Sequence, residues 1–267
     1  SNLKKEAEHV EGFDPELAWV TIGGREELEE RLAIRPTSES IICDFYRNWV
    51  QSYRDLPILI NQWCNVMRWE KVTRPFLRTS EFLWQEGHTV HATAEEAREE
   101  ALRMLGVYRD FYYETMAMPV LDGMKSPSER FPGAVETYTC EGLMGDGRAL
   151  QACTSHDLGQ NFSRAFDITF LDEQQERVHA YQTSWGLSSR SIGGMILVHG
   201  DDRGLKIPPK LAPTEAVIVP IWRGKNKAEV RKEAEALYVE LKGGAGFRME
   251  VDLDEEHSPG WKFNEHE

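Results

Sequence analysis

Apolar positions along this chain recur in two periods, and the places where the period changes mark out its elements. From Ser38 to Arg54 the residues Ile41, Ile42, Phe45, Tyr46, Trp49 and Val50 fall at i, i+3, i+4 spacing, which predicts an amphipathic helix with Pro57 as its stop. A second and longer helix is expected over Ala94 to Met116, opened by Thr93 as N-cap with Glu95 and Glu96 in its first turn. Strand-like segments surround these helices. Ala18 to Ile22 lies between the turn signals Phe13-Asp14-Pro15 and Gly23-Gly24. Ile58 to Trp69 alternates with period two but carries polar groups on both faces, which a plain core strand avoids. After the turn Val72-Thr73-Arg74-Pro75, a returning strand is expected from Phe76.

Short strands are then expected over Thr137 to Leu143, Ala149 to Thr154, Ile168 to Leu171, Val178 to Ser184 and Gly194 to His199, with Gly145-Asp146-Gly147 as a hairpin turn between the first two. Runs of short strands with helices grouped elsewhere imply an α+β class built on an antiparallel sheet. The pattern changes over Lys206 to Pro213, a proline-containing linker. Beyond it Ala216 to Ile221 reads as an apolar strand, Lys227 to Leu241 as a helix and Phe247 to Val251 as a strand, the start of a separate α/β unit.

Composition narrows the possibilities. The chain has 267 residues, 40% of them hydrophobic and 28% charged, ordinary for a soluble globular protein. No segment approaches the ~20 consecutive apolar residues of a membrane helix. The charged opening, Ser1 to Glu11, resembles no targeting signal, so the expectation is a cytoplasmic protein. Net charge is −14, which disfavours a nonspecific phosphate binder. From Val217 onward, 8 Lys and Arg stand against 11 Asp and Glu, so neither part is basic and any nucleic-acid contact must come from local patches. Cys43, Cys64, Cys140 and Cys153 are too far apart in sequence for the close pairs of a typical zinc site, and no structural zinc is expected.

Three clusters carry chemistry. Arg35-Pro36-Thr37-Ser38-Glu39 stands at the mouth of the first helix, where a capping box is the simplest explanation. Arg68-Trp69-Glu70, Arg78-Thr79-Ser80-Glu81-Phe82 and Trp84-Gln85-Glu86-Gly87-His88 interleave charges with aromatics, and buried charge needs a partner or a ligand. Arg68 and Glu70, two residues apart, are expected on one strand face. Gln151, Thr154, Ser155 and His156, then Ser184 to Arg190, complete the set; a cation on a rigid element after a small-residue turn suits ligand binding. The chain has neither GxxxxGK[ST] nor a strand-linked GxGxxG, so a nucleotide would have to be held by arginines.

Together these residues resemble class II aminoacyl-tRNA synthetases, and among them prolyl-tRNA synthetase of the archaeal and eukaryote-like type. Arg68-Trp69-Glu70 with Arg78 to Phe82 is similar to motif 2, Ser188-Ser189-Arg190 with the Gly-rich helix after it to motif 3, and Arg35 to Glu39 to the proline-recognition segment. Phe76 to Thr79, Trp84 to His88, Thr154-Ser155-His156 and His199-Gly200-Asp201 also match, so the resemblance covers essentially the whole chain. It implies a catalytic domain over 1–210, without motif 1, and the beginning of an anticodon-binding α/β domain over 211–267. The C-terminal zinc-containing domain of this type has no counterpart. From Arg68 to Arg190 is also too short for the large editing insertion of the bacterial type.

The resemblance implies joining L-proline to tRNA(Pro) through an ATP-derived prolyl-adenylate, in a cytoplasmic homodimer, with Mg²⁺ accompanying ATP. Arg68 and Arg190 would be catalytic, Arg68 bridging the proline carboxylate and the α-phosphate. Arg78 and Arg190 would hold the outer phosphates or stack on adenine. Glu70, Thr79, Gln151, Thr154 and Ser188 would be further nucleotide contacts, Gln151 also helping to hold Mg²⁺. Thr37 and Glu39 would take the proline ammonium, Phe82, Trp84, His88 and His156 would enclose the ring, and Glu86 would orient that shell. Two other outcomes stay open: a sister class II enzyme for threonine, glycine, histidine or serine, and a paralogue that binds without catalysing.

Overall fold

The computed structural model describes residues 17–266. In chain order the elements are β1 (Trp19–Gly23), β2 (Glu26–Ala33), α1 (Glu39–Trp49), β3 (Ile58–Met67), β4 (Glu81–His91), α2 (Ala94–Asp110), β5 (Val120–Met124), β6 (Glu136–Leu143) and β7 (Ala149–Gly159). After these come α3 (Asn161–Phe166), β8 (Thr169–Leu171), β9 (Arg177–His179), β10 (Tyr181–Ser188), α4 (Arg190–His199), β11 (Gly200–Asp201) and β12 (Gly204–Leu205). The last are β13 (Ala216–Ile218), α5 (Lys227–Ala245), β14 (Met249–Val251) and α6 (Pro259–His266). Two compact units result: one of the residues up to 114 with 118–198, the other of 115–117 with the residues from 199 onward.

The first unit is built on a six-stranded sheet in the order β3-β4-β10-β7-β6-β5, antiparallel at every pairing. Period-two alternation gives the sheet two different faces. On one, Ser155 Oγ donates to Ala101 O of α2 at 2.7 Å. On the other, Thr154 and His156 of the same strand line a cavity. Helix α2 is capped as its sequence predicts: the Thr93 side chain accepts from Glu96 N at 3.2 Å in a full capping box. A core of Tyr46, Val50, Val90, Leu158, Phe162, Ile168 and Phe170 joins α1 and α3 to the sheet. Tyr46 O–H, buried in this core, donates to His88 O at 2.8 Å and so ties α1 to β4.

Two glycines permit close approaches within the first unit. Gly87 of β4 faces Trp185 of β10 directly, and a Cβ at Gly87 would lie 1.9 Å from the indole ring. In α4, a Cβ at Gly193 would lie 2.7 Å from Leu77 Cδ2 and 3.1 Å from Phe76 Cβ. The helix can therefore rest against the loop between β3 and β4, and Arg190 Nε reaches Leu77 O at 2.9 Å.

In the second unit β13 and β14 pair in parallel through α5, with Ala216 opposite Met249. Arg248 fastens the preceding linker, its guanidinium donating to Pro209 O at 2.9 Å and to Lys210 O at 3.0 Å. Lys262 is buried and its ammonium sits 2.8 Å from Asp252 Oδ1.

Several expected elements take other forms. The expected strand over Gly194 to His199 is the body of helix α4, since a run of apolar residues fits either element until its packing is known. The returning strand starts at Glu81, not Phe76, because Phe76 has φ 58 and Arg74 N and Arg78 O close a turn there at 2.7 Å. Strand β3 ends at Met67, so Arg68 and Glu70 lie in the loop beyond it rather than on a strand face. Helix α1 stops at Trp49, and only a short 3₁₀ turn, Tyr53–Asp55, follows. Helix α2 ends at Asp110 and continues as one π turn, Phe111–Thr115. The expected Val178 to Ser184 strand divides between β9 and β10, and β13 ends at Ile218, two residues before Pro220, which has no N–H to donate. The turn at Phe13-Asp14-Pro15 lies outside the described residues. Strands β2, β5, β11 and β12 and helices α3 and α6 have no counterpart among the expected elements.

Two buried histidines link this fold to pH. His91 shares a hydrogen bond with Thr89 Oγ1 at 2.8 Å, and burial pushes its pKa from 6.5 down to about 4. His156 is pushed from 6.5 to about 3, by burial first and then by Lys125 and His88. In the unfolded chain both take up protons near 6.5, so between that value and about 4 the unfolded state binds more protons. Stability is then expected to fall as pH drops through this window, by about 1.4 kcal/mol per pH unit for each histidine. Denaturant unfolding at stepped pH measures it, and His91→Gln is expected to flatten the slope. Gly193→Val is expected to destabilise by about 1–3 kcal/mol through overpacking against Phe76 and Leu77, measured the same way.

Candidate functional site

The first unit encloses a cavity of about 340 Å³ between the free face of the sheet and the segments 35–39, 68 and 125–132. Of the residues singled out in the sequence, Thr37, Glu39, Arg68, Phe82, Trp84, Glu86, His88, Gln151, Thr154, His156, Ser188 and Arg190 all line it. Glu70, Arg78 and Thr79 do not. Glu70 and Arg78 instead pair with each other, Arg78 Nε donating to Glu70 Oε2 at 2.7 Å.

Arg68 and Arg190 are held in the same manner. Arg68 Nε donates to Pro36 O at 3.0 Å and Arg190 Nε to Leu77 O at 2.9 Å. Arg68 also lies over the rings of Phe82 and Trp84, with its Cζ 5.4 Å and 5.9 Å from their centroids. Those two rings meet edge to face at 5.4 Å. Neither arginine is ion-paired to a carboxylate among the described residues. Burial, then the charges of Arg68 and Arg78, pulls the Arg190 guanidinium below its ordinary range. Burial also lowers Arg68, opposed by Glu39, Glu70 and Glu86. Cations that destabilise one another at a half-desolvated site favour an anionic ligand.

The opposite charge is gathered beside them. Thr37 Oγ1 donates to Glu39 Oε2, and Ser38, at the N-cap of α1, makes no capping bond. The cluster at the mouth of α1 is thus turned into the cavity and is not a capping box. Glu86, 3% exposed, accepts from Gln62 Nε2 at 2.6 Å, lies 3.1 Å from His88 Nε2 and 3.4 Å from Cys64 Sγ. Burial would raise its pKa, but the hydrogen bonds from His88, Ser38 and Gln62 and the attraction of His88 outweigh it, and the carboxyl stays below its ordinary range. His156 Nδ1 shares a hydrogen bond with Thr137 Oγ1 at 3.1 Å, and its ring stacks on Phe131 with centroids 4.5 Å apart. Ser184, opposite His156 on the cavity face, lines the cavity, and its Oγ is buried with no hydrogen-bond partner among the described residues, so a bound molecule can supply one.

Lys125, Arg130, Phe131 and Thr137 also line the cavity, and sequence reasoning missed all four. Their segment has no local motif; only the return of β6 beside β7 brings it to the site. Lys125 Nζ donates to Gln151 Oε1. An ammonium at that oxygen does not fit a divalent cation held by Gln151, so no Mg²⁺ ligand is assigned to this side chain. Among the described residues no group of three or more His, Cys, Asp or Glu is placed to hold a metal ion. No helix among them is long and apolar enough to cross a membrane.

The chain is similar to known proteins over most or all of its length. The family model described as tRNA synthetase class II core domain (G, H, P, S and T) matches residues 19–199. The chain is 83% identical over its whole length to a proline--tRNA ligase of Rubrobacter xylanophilus, covering 56% of that protein. It is 62% identical to that of Natranaerobius thermophilus, covering 55%. A crystal structure of prolyl-tRNA synthetase from Cryptosporidium parvum, complexed with halofuginone and AMPPNP, superposes with a TM-score of 0.86 at 47% identity. That match covers 98% of this chain and 54% of the other. The chain spans about half the length of the relatives it matches. With an antiparallel sheet flanked by helices and a family match over most of its length, the chain belongs to the class II tRNA synthetase core family.

Proposed function

We propose that this chain carries the amino-acid-activating site of a proline--tRNA ligase, in which L-proline and ATP form prolyl-adenylate before transfer to tRNA(Pro). The observation that carries this reading is the pairing of two half-buried, carbonyl-held arginines with the Thr37–Glu39 and Glu86–His88 carboxylate clusters in one cavity. Identity to proline--tRNA ligases over the whole chain favours proline over the amino acids of sister enzymes.

In activation a proline carboxylate oxygen attacks the α-phosphorus. A C–O–P anhydride forms and the bond to pyrophosphate breaks. In transfer the tRNA 3′-terminal hydroxyl attacks the carbonyl carbon and AMP leaves. Neither step needs a protein nucleophile; both need alignment and charge stabilisation. Arg68, fixed by Pro36 O and the two aromatic rings, would hold carboxylate and α-phosphate oxygens together. Arg190 would neutralise outer phosphates or cover adenine, with Arg78, Glu70, Thr79, Gln151, Thr154 and Ser188 as further nucleotide contacts. Glu39 and Thr37 would accept the secondary ammonium of proline, and Phe82, Trp84, His88 and His156 would wall its ring, with Glu86 fixing His88. Burial keeps His156 neutral at physiological pH, so it can approach the apolar ring without adding a cation.

The β13-α5-β14 unit supports reading 211–267 as the start of an anticodon-binding domain after a catalytic domain over 1–210. The exposed apolar side chains of edge strand β3, with Trp63 80% exposed, support a homodimer, and we place the protein in the cytoplasm. Mg²⁺ would accompany ATP with phosphate oxygens and water as its ligands. The shortness of the segment between Arg68 and Arg190, together with the likeness to the Cryptosporidium parvum enzyme, supports the archaeal and eukaryote-like type.

Proline-dependent ATP–pyrophosphate exchange tests this reading, with a panel of the other amino acids as the comparison. Arg68→Ala is expected to slow exchange by about a hundredfold or more, and an unchanged rate would remove its central role. Thr37→Ala is expected to raise KM for proline by about tenfold with little change in kcat. Unchanged KM would remove it from recognition.

A further inference from the structure

We propose that Lys125 is a third catalytic cation of this cavity, contacting the anionic junction between the amino-acid carboxylate and the α-phosphate. The assignment rests on the adenylate-forming reading above and adds to it a residue with no sequence motif. Lys125 stands one residue past β5, and its backbone N donates to Thr137 O at 2.8 Å, which extends the sheet ladder and fixes its position. Thr137 Oγ1 in turn holds His156 Nδ1 at 3.1 Å, at the amino-acid end of the cavity. The Lys125 ammonium donates to Gln151 Oε1, at the nucleotide end. The side chain therefore spans the place where the two substrates must meet.

Its partners are the second argument. Lys227 and Lys262 elsewhere in the chain lie 2.5 Å and 2.8 Å from carboxylate oxygens. Lys125 is half-buried, yet among the described residues its side chain meets only a neutral amide. A half-desolvated ammonium without a counter-ion is costly, and that cost is recovered when an anion enters. Its charge already acts across the cavity, since it is among the causes that hold His156 down. A carboxylate turning into an acyl phosphate gathers negative charge at this point, where a preorganised ammonium is most effective.

The test uses the 267-residue chain and titration calorimetry with prolyl-sulfamoyl-adenosine, which places an anionic sulfamate at the junction, and with neutral adenosine as the reference ligand. Lys125→Met is expected to weaken the analogue by about ten- to a hundredfold while adenosine binding stays within about twofold. Lys125→Arg, which keeps the cation, is expected to recover most of the loss. Equal unfolding midpoints exclude a folding defect, and Lys125→Gln replaces the methionine variant should that one fail to fold. Tight binding by the wild type with no loss in Lys125→Met overturns this assignment alone, as does an equal loss for adenosine. Failure of the wild type to bind the analogue overturns the synthetase reading, and the assignment falls with it.

Discussion

Two guanidinium groups are held by main-chain carbonyls and not by carboxylates, and the rest of the site follows from that constraint. Arg68 Nε is committed to Pro36 O and Arg190 Nε to Leu77 O. In each case one N–H fixes the side chain while the planar end of the group stays available. An ion pair would have neutralised these cations and taken up the same fork. A carbonyl orients without neutralising. The cost is desolvation of two like charges near each other, visible in the lowering of Arg190 by burial and then by Arg68 and Arg78. It is offset in part by Phe82 and Trp84, whose faces lie within 6 Å of the Arg68 guanidinium. Such contacts contribute about 0.5–2 kcal/mol each.

The carboxylates beside them are arranged the other way. Glu86 is bound by Gln62, Cys64 and His88, so its orientation is set before any ligand arrives. Glu39 is fixed through Thr37. Long-range attraction from Glu39, Glu70 and Glu86 supports Arg68 without occupying it. The result is a cavity with an anion-seeking wall and an ammonium-seeking wall, matched to a zwitterionic amino acid joined to a phosphate. Backbone economy helps at Gly193, which lets the helix that starts at Arg190 rest against Phe76 and Leu77.

Much of this was legible in the chain itself. The helical periods of α1 and α2, the Thr93–Glu96 cap, the hairpin turn between β6 and β7 and the α/β change after the linker depend on residues close in sequence, and the structure bears them out. The errors have one origin. Gly194 to His199 was ambiguous because an apolar run suits a strand or a buried helix equally, and only packing decides, with Gly193 against Phe76 and Leu77 and Gly194 against Leu150 and Met118. At Thr37 to Glu39 the local alternative, a capping box, gives way in a similar manner: Ser38 Oγ accepts from the distant Gln62 Nε2 and Thr37 bonds Glu39, so no side chain caps the helix.

What the residues alone determined was the chemical inventory: arginines in place of a glycine-rich phosphate loop, carboxylates interleaved with aromatics, and the resemblance that their order carries. What tertiary structure decided was which of them meet. The β4-β10-β7 pairing places Glu86, Ser188 and Thr154 in one wall although they lie far apart in the chain. It leaves Glu70 and Arg78 to each other, and it brings in Lys125, which nothing nearby in sequence distinguishes. Spacing and propensity are local quantities, whereas a charge acquires its role from the neighbours that long-range strand pairing supplies and from the water that burial removes.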